Sequence, residues 1–229
     1  MERGYCLIEK LFSSVEIDSI RLEMHEIFSV FSSGKKVDDK FLMELFKNDF
    51  DAYVGCANLC QKLPSVYRLA GSEKIRQVLR DFGFGLPTLN TKPLVSFSSK
   101  HTAESEAYWK IAGHQDYPSN LGSLKGVTLW MPLQDVDANL GPLEIVPDSD
   151  KLGILPHIGI PPVLVEDNFN YISVPMRLGD ALFFDTKTIH RSGVNITEDK
   201  IRWSMHFRYN DAFEPNFIER KYPKNRTND

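Results

Sequence analysis

Behind Ser13 the apolar residues Ile17, Ile20, Met24, Ile27, Phe28 and Phe31 recur at intervals of three and four. That spacing keeps one face of an α-helix apolar, so it predicts an amphipathic helix. Ser13 and Glu16 stand in the order of a capping box, and Gly34 supplies a stop. A second periodic segment runs from about Asp39 to Ala52, and a third from about Asn58 through Val78 to Arg80, cut by Pro64 and Gly71. The first third of the chain therefore predicts helices whose apolar faces cover something else.

From Gly83 the pattern changes to short β-branched and aromatic runs: Leu94 to Phe97, Val127 to Trp130, Leu143 to Val146, Ala181 to Phe184 and Trp203 to Tyr209. Gly, Pro, Asn and Asp separate them, which predicts an antiparallel sandwich or barrel and a mainly β, α+β fold. No helix-sized segment alternates with these strands and no glycine-rich phosphate motif occurs, so a doubly wound nucleotide-binding sheet is disfavoured. Asp148 to Tyr171 carries Pro156, Pro161 and Pro162 with little periodicity, and reads as a long loop over one end of the barrel. The polar tail from Lys221 to Asp229 reads as frayed. A chain of 229 residues predicts one domain, with 1–82 as helical support, 83–210 as the β core and 148–171 as its lid.

Charge narrows the function. Lys and Arg number 27 against 31 Asp and Glu, a net charge of −4 that gives no chain-wide attraction for nucleic acid or an anionic membrane. The apolar runs are too short to cross a bilayer, and the first ten residues lack a hydrophobic signal core, so a soluble cytoplasmic protein is expected. Three cysteines without a CxxC pair predict reduced thiols, with Cys56 and Cys60 in core packing.

The chemistry concentrates at Gly113-His114-Gln115-Asp116-Tyr117-Pro118. In extended backbone, residues two apart point the same way, so His114 and Asp116 can aim a ring nitrogen and a carboxylate at one point. His190, at the end of the run from Gly179, is the candidate third ligand. Two imidazoles and one carboxylate leave three octahedral positions open, as in non-haem Fe(II) oxygenases, although zinc hydrolase sets look alike in sequence. Arg202 lies twelve residues beyond His190, across a turn containing Ser192, Gly193 and Asn195. It is expected on the adjacent strand, pointing into the barrel, where a buried guanidinium needs a carboxylate. That partner is either a protein acid such as Asp180 or Asp185, or a ligand such as 2-oxoglutarate, whose far carboxylate is spare once its other end chelates iron.

These segments resemble the phytanoyl-CoA dioxygenase (PhyH-like) family of Fe(II)/2-oxoglutarate oxygenases. The resemblance covers roughly Val95 to Tyr209 and rests on ordered blocks: Gly113 to Asp116, Val127 to Val136, Asn139 to Ser149, Gly179 to Phe184, His190 to Gly193 and Ile201 to Ser204. It implies a double-stranded β-helix (jelly-roll or cupin-like), with His114, Asp116 and His190 as iron ligands and Arg202 as the cosubstrate anchor. It further implies that Gln115, Trp130, Ser192 and Ser96 touch 2-oxoglutarate. The implied cofactors are Fe(II), 2-oxoglutarate and O2, and the implied reaction oxidises an unactivated C–H bond of a small molecule, releasing succinate and CO2. Family members often read Pro-Gly-Ser-His where this chain has Pro147-Asp148-Ser149-Asp150, so the loop over the site is not the commonest version.

Two other functions fit the same residues: a cupin-type metal-dependent isomerase or hydrolase, and a non-catalytic module binding 2-oxoglutarate or another small ligand. His206 shares a strand face with Arg202 and Ser204, and either lines the pocket or is a hydrogen-bonded barrel histidine. Tyr108, Trp109 and Tyr117 flank the metal motif, as an aromatic wall or as ordinary burial. His25 is expected on a surface helix, and Lys100, Lys110 and Arg191 read as solvated surface.

Overall fold

The first helix, α1 (Ser14–Ser29), starts where the capping box predicts. The Ser13 hydroxyl accepts from the Glu16 N–H at 3.3 Å while the Glu16 carboxylate accepts from the Ser13 N–H at 2.8 Å. The computed structural model describes residues 1–102 and 111–223; Tyr108, Trp109, Lys110 and the tail beyond 223 lie outside the described residues. Four more helices follow: α2 (Asp39–Asn48), α3 (Phe50–Cys60), α4 (Pro64–Ala70) and α5 (Glu73–Asp81). The periodic segment expected from Asp39 to Ala52 is thus broken in two. Asp49 leaves the helical region (φ −150°, ψ 78°), and its carboxylate accepts from the Ala52 N–H at 3.0 Å, which caps α3.

Eleven strands are described: β1 (Tyr5–Ile8), β2 (Pro87–Leu89), β3 (Leu94–Ser98), β4 (Val127–Pro132), β5 (Leu143–Ile145), β6 (His157–Ile158), β7 (Val163–Leu164), β8 (Ile172–Ser173), β9 (Ala181–Asp185), β10 (His190–Ser192) and β11 (Arg202–Asp211). They form an antiparallel six-stranded sheet, ordered β1-β9-β4-β11-β2 with β3 also on β11, a three-stranded sheet β10-β5-β8 and the small hairpin β6-β7. β1 is a strand inside the region expected to be helical; its four residues pair with β9 from Tyr5 against Phe184 to Ile8 against Ala181.

Period-two alternation in β11 sorts its side chains between two environments. Trp203, Met205, Phe207 and Tyr209 join Leu129, Met131 and Phe183 in a core shared with Ile17, Met24, Phe28, Leu42, Ile75 and Leu79 of the helices. The helices therefore cover the outer face of the large sheet. A fully buried side chain such as Phe207 contributes about 1.5–3 kcal/mol there. Trp130, Leu182 and Phe184 turn to the opposite face and pack with Leu143 and Ile145 of the small sheet, so the two sheets lie face to face. Arg202, Ser204, His206 and Arg208 share that inner face by alternation.

His190 and Arg202 are not on adjacent strands, contrary to the expectation from chain length. β10 pairs with β5 in the small sheet, whereas β11 pairs with β2, β3 and β4 in the large one. The nine residues between Ser192 and Arg202 cross from sheet to sheet instead of closing a hairpin. The loop expected from Asp148 to Tyr171 contains a 3₁₀ turn (Ser149–Leu152) and the β6-β7 hairpin. Among the described residues no helix is long and apolar enough to cross a membrane. Cys6, Cys56 and Cys60 are free thiols. Burial pushes the Cys60 thiol up to about 12, which makes it a packing residue.

Candidate active site

His114 and His190 form an isolated antiparallel bridge, each donating its N–H to the other's carbonyl at 3.0 Å. Their rings consequently lie on one side, with centroids 4.2 Å apart. Each Nδ1 meets a carbonyl two residues back, His114 on Ala112 at 2.9 Å and His190 on Thr188 at 3.0 Å. A carbonyl only accepts, so each Nδ1 carries the hydrogen and each Nε2 keeps a lone pair for a metal. Asp116 completes the group: one ligand atom from each of the three residues lies within 4.8 Å of the others.

Asp116 does not reach this point by strand alternation. Its backbone is helical (φ −70°, ψ −30°), at the start of the turn Tyr117–Asn120. The carboxylate is held from the large sheet instead. Arg208 Nη2 donates to Oδ1 at 3.0 Å and Arg208 Nε to Oδ2 at 3.1 Å, a bidentate fork, and the Thr128 hydroxyl donates to Oδ2 at 2.5 Å. Sequence reading missed both residues. The available signal was that Arg208 continues the alternation Arg202, Ser204, His206 along β11.

Arg202 is 4% exposed and lies opposite Ser98 on β3. Its Nη1 donates to the Gly141 carbonyl, its Nε is buried without a partner, and its guanidinium lies 5.9 Å from the Trp130 ring centre. No carboxylate among the described residues pairs with it. The two acids named as alternatives are engaged elsewhere. Asp180 accepts from the N–H groups of Lys10 (2.8 Å) and Arg177 (2.7 Å), and Asp185 pairs with Lys187 at 3.2 Å. Trp130 is fully buried with its indole N–H also unpartnered. His206 sits between these groups on β11, 3.4 Å from the Ser204 hydroxyl and edge-on to Trp130 at 6.2 Å.

Ser96 shares the inner face of the large sheet through its pairing with Ser204, and Ser192 shares the face of His190 on β10. Gln115 is placed otherwise than a cosubstrate contact requires. It is fully buried, its Nε2 donates to the carbonyls of Gly153 (2.7 Å) and Lys187 (2.6 Å), and its Oε1 accepts from the Leu155 N–H at 2.9 Å. Its own N–H donates to His157 Nε2 at 3.2 Å. Gln115 therefore ties the loop after Ser149 to the metal-ligand segment, with both amide hydrogens used in doing so. His25 is half-buried, stacked on Trp203 at 5.0 Å and hydrogen bonded to Val37, so it packs the helices on the sheet instead of facing solvent.

Electrostatics favour metal capture. Burial, with His114 alongside, pushes the His190 imidazole down to about 3, and burial lowers His114 as well. Burial raises the Asp116 carboxyl, but Arg208 and the two histidines outweigh it and hold it well below the usual carboxylate range. Near neutral pH the site thus presents two neutral imidazoles and one carboxylate. Burial lowers Arg202 only to about 10, so it stays cationic.

A model of the family described as phytanoyl-CoA dioxygenase (PhyH) matches residues 1–204. The chain belongs to that family. As a phytanoyl-CoA dioxygenase family member it is a non-haem, iron- and 2-oxoglutarate-dependent enzyme. The donor set fits both groups: two imidazoles and a carboxylate for iron, and a buried guanidinium with no acid partner among the described residues for a dicarboxylate. No curated protein matches the chain. Among solved structures it is similar to the non-haem α-ketoglutarate-dependent epimerase SnoN from nogalamycin biosynthesis, at 22% identity over 92% of this chain and 79% of that one, TM-score 0.61. The α-ketoglutarate-dependent carbocyclase SnoK from the same biosynthesis gives 18% identity over 100% and 90%, TM-score 0.60. AviO1 from Streptomyces viridochromogenes Tue57 gives 19% over 93% and 92%, TM-score 0.60. At these identities the likeness is one of fold.

Proposed function

We propose that this phytanoyl-CoA dioxygenase family member oxidises an unactivated C–H bond of a small molecule, by hydroxylation or a related oxidative outcome. The chain acts as one Fe(II)/2-oxoglutarate dioxygenase domain, its two opposed sheets forming a double-stranded β-helix. The observation that carries this reading is Arg202, a buried cation on the inner face of the large sheet with no acid partner among the described residues. An uncompensated buried charge is costly, and the far carboxylate of 2-oxoglutarate removes that cost.

His114 Nε2, His190 Nε2 and an Asp116 oxygen would hold iron(II), and the Arg202 guanidinium would receive the far carboxylate. Iron, 2-oxoglutarate and O2 together supply the oxidation, with succinate and CO2 as coproducts. The chain's own share is positioning and exclusion of water. The mutual backbone bonds of His114 and His190 fix ligand spacing, and the carbonyls of Ala112 and Thr188 fix the tautomers. Trp130, Leu182 and Phe184 form a dry wall, and Ser96 and Ser192 remain candidate cosubstrate contacts.

Anaerobic addition of 2-oxoglutarate to the Fe(II)-loaded protein tests the assignment. A visible charge-transfer band, followed by succinate release on admitting O2 with substrate, is expected. A metal-loaded protein that binds no 2-oxoglutarate is instead the cupin-type isomerase or hydrolase. One that binds it yet releases no succinate across a panel of small polar metabolites is the non-catalytic module.

A further inference from the structure

We propose that Arg208 and Thr128 are positioning residues that confine Asp116 to metal ligation through Oδ1 alone. The inference rests on the metal-site reading above and concerns residues outside the ligand set.

An ionised carboxylate offers about two acceptor positions on each oxygen. On Asp116, Oδ2 accepts from Arg208 Nε at 3.1 Å and from the Thr128 hydroxyl at 2.5 Å, which fills it. Among the described residues Oδ1 accepts only from Arg208 Nη2, at 3.0 Å, and keeps one position. A metal placed between Asp116 and the two imidazoles can therefore take Oδ1 without displacing any donor, whereas chelation by both oxygens would break a bond to Oδ2. With Oδ1 alone, the three residues fill three octahedral positions and leave three for the 2-oxo acid and oxygen. Chelation by both oxygens would consume one of those three.

A simple counter-ion role for Arg208 does not account for its place. Its side chain is 17% exposed against 4% for Asp116, and a divalent ion at the site would itself neutralise the carboxylate. A guanidinium beside a dication repels it, so once a metal is bound charge no longer accounts for Arg208. What the fork adds is direction: two parallel N–H bonds fix the carboxylate plane, and both donors come from the central strands β4 and β11, paired Thr128 against Arg208. The Asp116 backbone, outside the sheets, does not supply that rigidity.

Co(II) binding to the purified full chain tests this. Thr128→Val removes one Oδ2 donor with charge unchanged, and Arg208→Lys keeps the charge but loses the fork. Both are checked for native circular dichroism. Expected are an altered Co(II) visible spectrum, reporting a changed coordination number, Co(II) affinity weaker by about 10–100-fold, the range for loss of a partner that orients a metal ligand, and weaker 2-oxoglutarate binding to the Co(II) form. Folded variants with the wild-type spectrum and wild-type 2-oxoglutarate affinity overturn the inference and leave the metal site standing. A wild-type chain that binds no Co(II) overturns the metal-site reading and this inference together.

Discussion

His114 and His190 are paired through their backbones, each N–H reaching the other's carbonyl at 3.0 Å, so the main chain sets the spacing of the two imidazoles. They stand 76 positions apart in sequence, and the bridge joins the segment that carries His114 to the small sheet. Deleting either ring leaves these backbone bonds intact. His114→Ala and His190→Ala are therefore expected to fold while losing metal-dependent turnover by more than about 100-fold, beyond the usual effect of an outer partner. Circular dichroism and turnover of metal-checked protein decide this; retained turnover removes the residue from the ligand set.

The same histidines predict how the metal-free protein responds to acid. His190 titrates at about 3 when folded and near 6.5 when unfolded, and His114 is shifted in the same direction. Between those values the unfolded chain takes up protons that the folded chain refuses. Stability is therefore level above about pH 6.5 and falls as pH drops from there toward about 3. Urea unfolding between about pH 5 and 6.5, above the ordinary Asp and Glu values of about 3.9 and 4.3, should show a shallower slope for His190→Gln than for wild type. Equal slopes would count against burial of a neutral His190.

Arg202 yields a prediction of opposite sign in the free and the ligand-bound protein. Because its Nε is buried and no described acid pairs with it, Arg202→Met removes an uncompensated charge and should raise the melting temperature without ligand. The same change should weaken 2-oxoglutarate binding by about 2–5 kcal/mol, the cost of deleting one partner of a buried charge pair. Thermal unfolding with and without 2-oxoglutarate reads both effects. A variant that loses stability without ligand and keeps its ligand-induced shift would show that Arg202 serves the fold.

Alternation made the long strands legible, and the residue types at 114, 116 and 190 made the metal-ligand candidates legible. The β11 pattern alone separates Trp203, Met205, Phe207 and Tyr209 from Arg202, Ser204 and His206, and the structure puts the first set under the helices. Short pieces were not legible, because β6, β7, β8 and β10 run for only two or three residues and carry no period. The membership of β10 in the small sheet followed from its pairing with Leu143 to Ile145, a contact that loop length cannot encode. Arg208 was missed for a similar reason: its function depends on Asp116, 92 residues away, and that carboxylate is the only feature that distinguishes it from a strand-face arginine. The bonds of Gln115 to Gly153, Lys187 and Leu155 were not legible, because proximity to two ligand candidates in sequence does not show which way a fully buried amide turns.

Gln115 should be a stability residue that also fixes the loop after Ser149. Gln115→Ala leaves the Gly153 and Lys187 carbonyls and the Leu155 N–H without their partner, at about 1–3 kcal/mol for each group that stays buried and unsatisfied. Amide exchange at Leu155 should accelerate in the variant, while exchange in β4 rises only with the global loss of stability. If Gln115 instead contacted cosubstrate, the variant would lose 2-oxoglutarate affinity with Leu155 exchange unchanged.

Gly141 links the fold to Arg202 at one atom. Its φ of +72° lies in the left-handed region, and a Cβ there would meet the Asn195 nitrogen and the Gly193 oxygen at 2.6 Å, both backbone atoms. Its carbonyl is also the hydrogen-bond acceptor of Arg202 Nη1. Gly141→Ala combines left-handed strain of about 1–2 kcal/mol with a clash that only backbone movement relieves. Gly34→Ala provides the control, since φ there is +82° and nothing lies within 4 Å of the added carbon. Denaturation should therefore show a larger loss for Gly141→Ala than for Gly34→Ala, and calorimetry should show weaker 2-oxoglutarate binding in the first variant alone, because the carbonyl that orients the guanidinium has moved. Equal stability losses with unchanged affinity in both would mean that the Asn139 to Pro142 turn relaxes without moving Arg202.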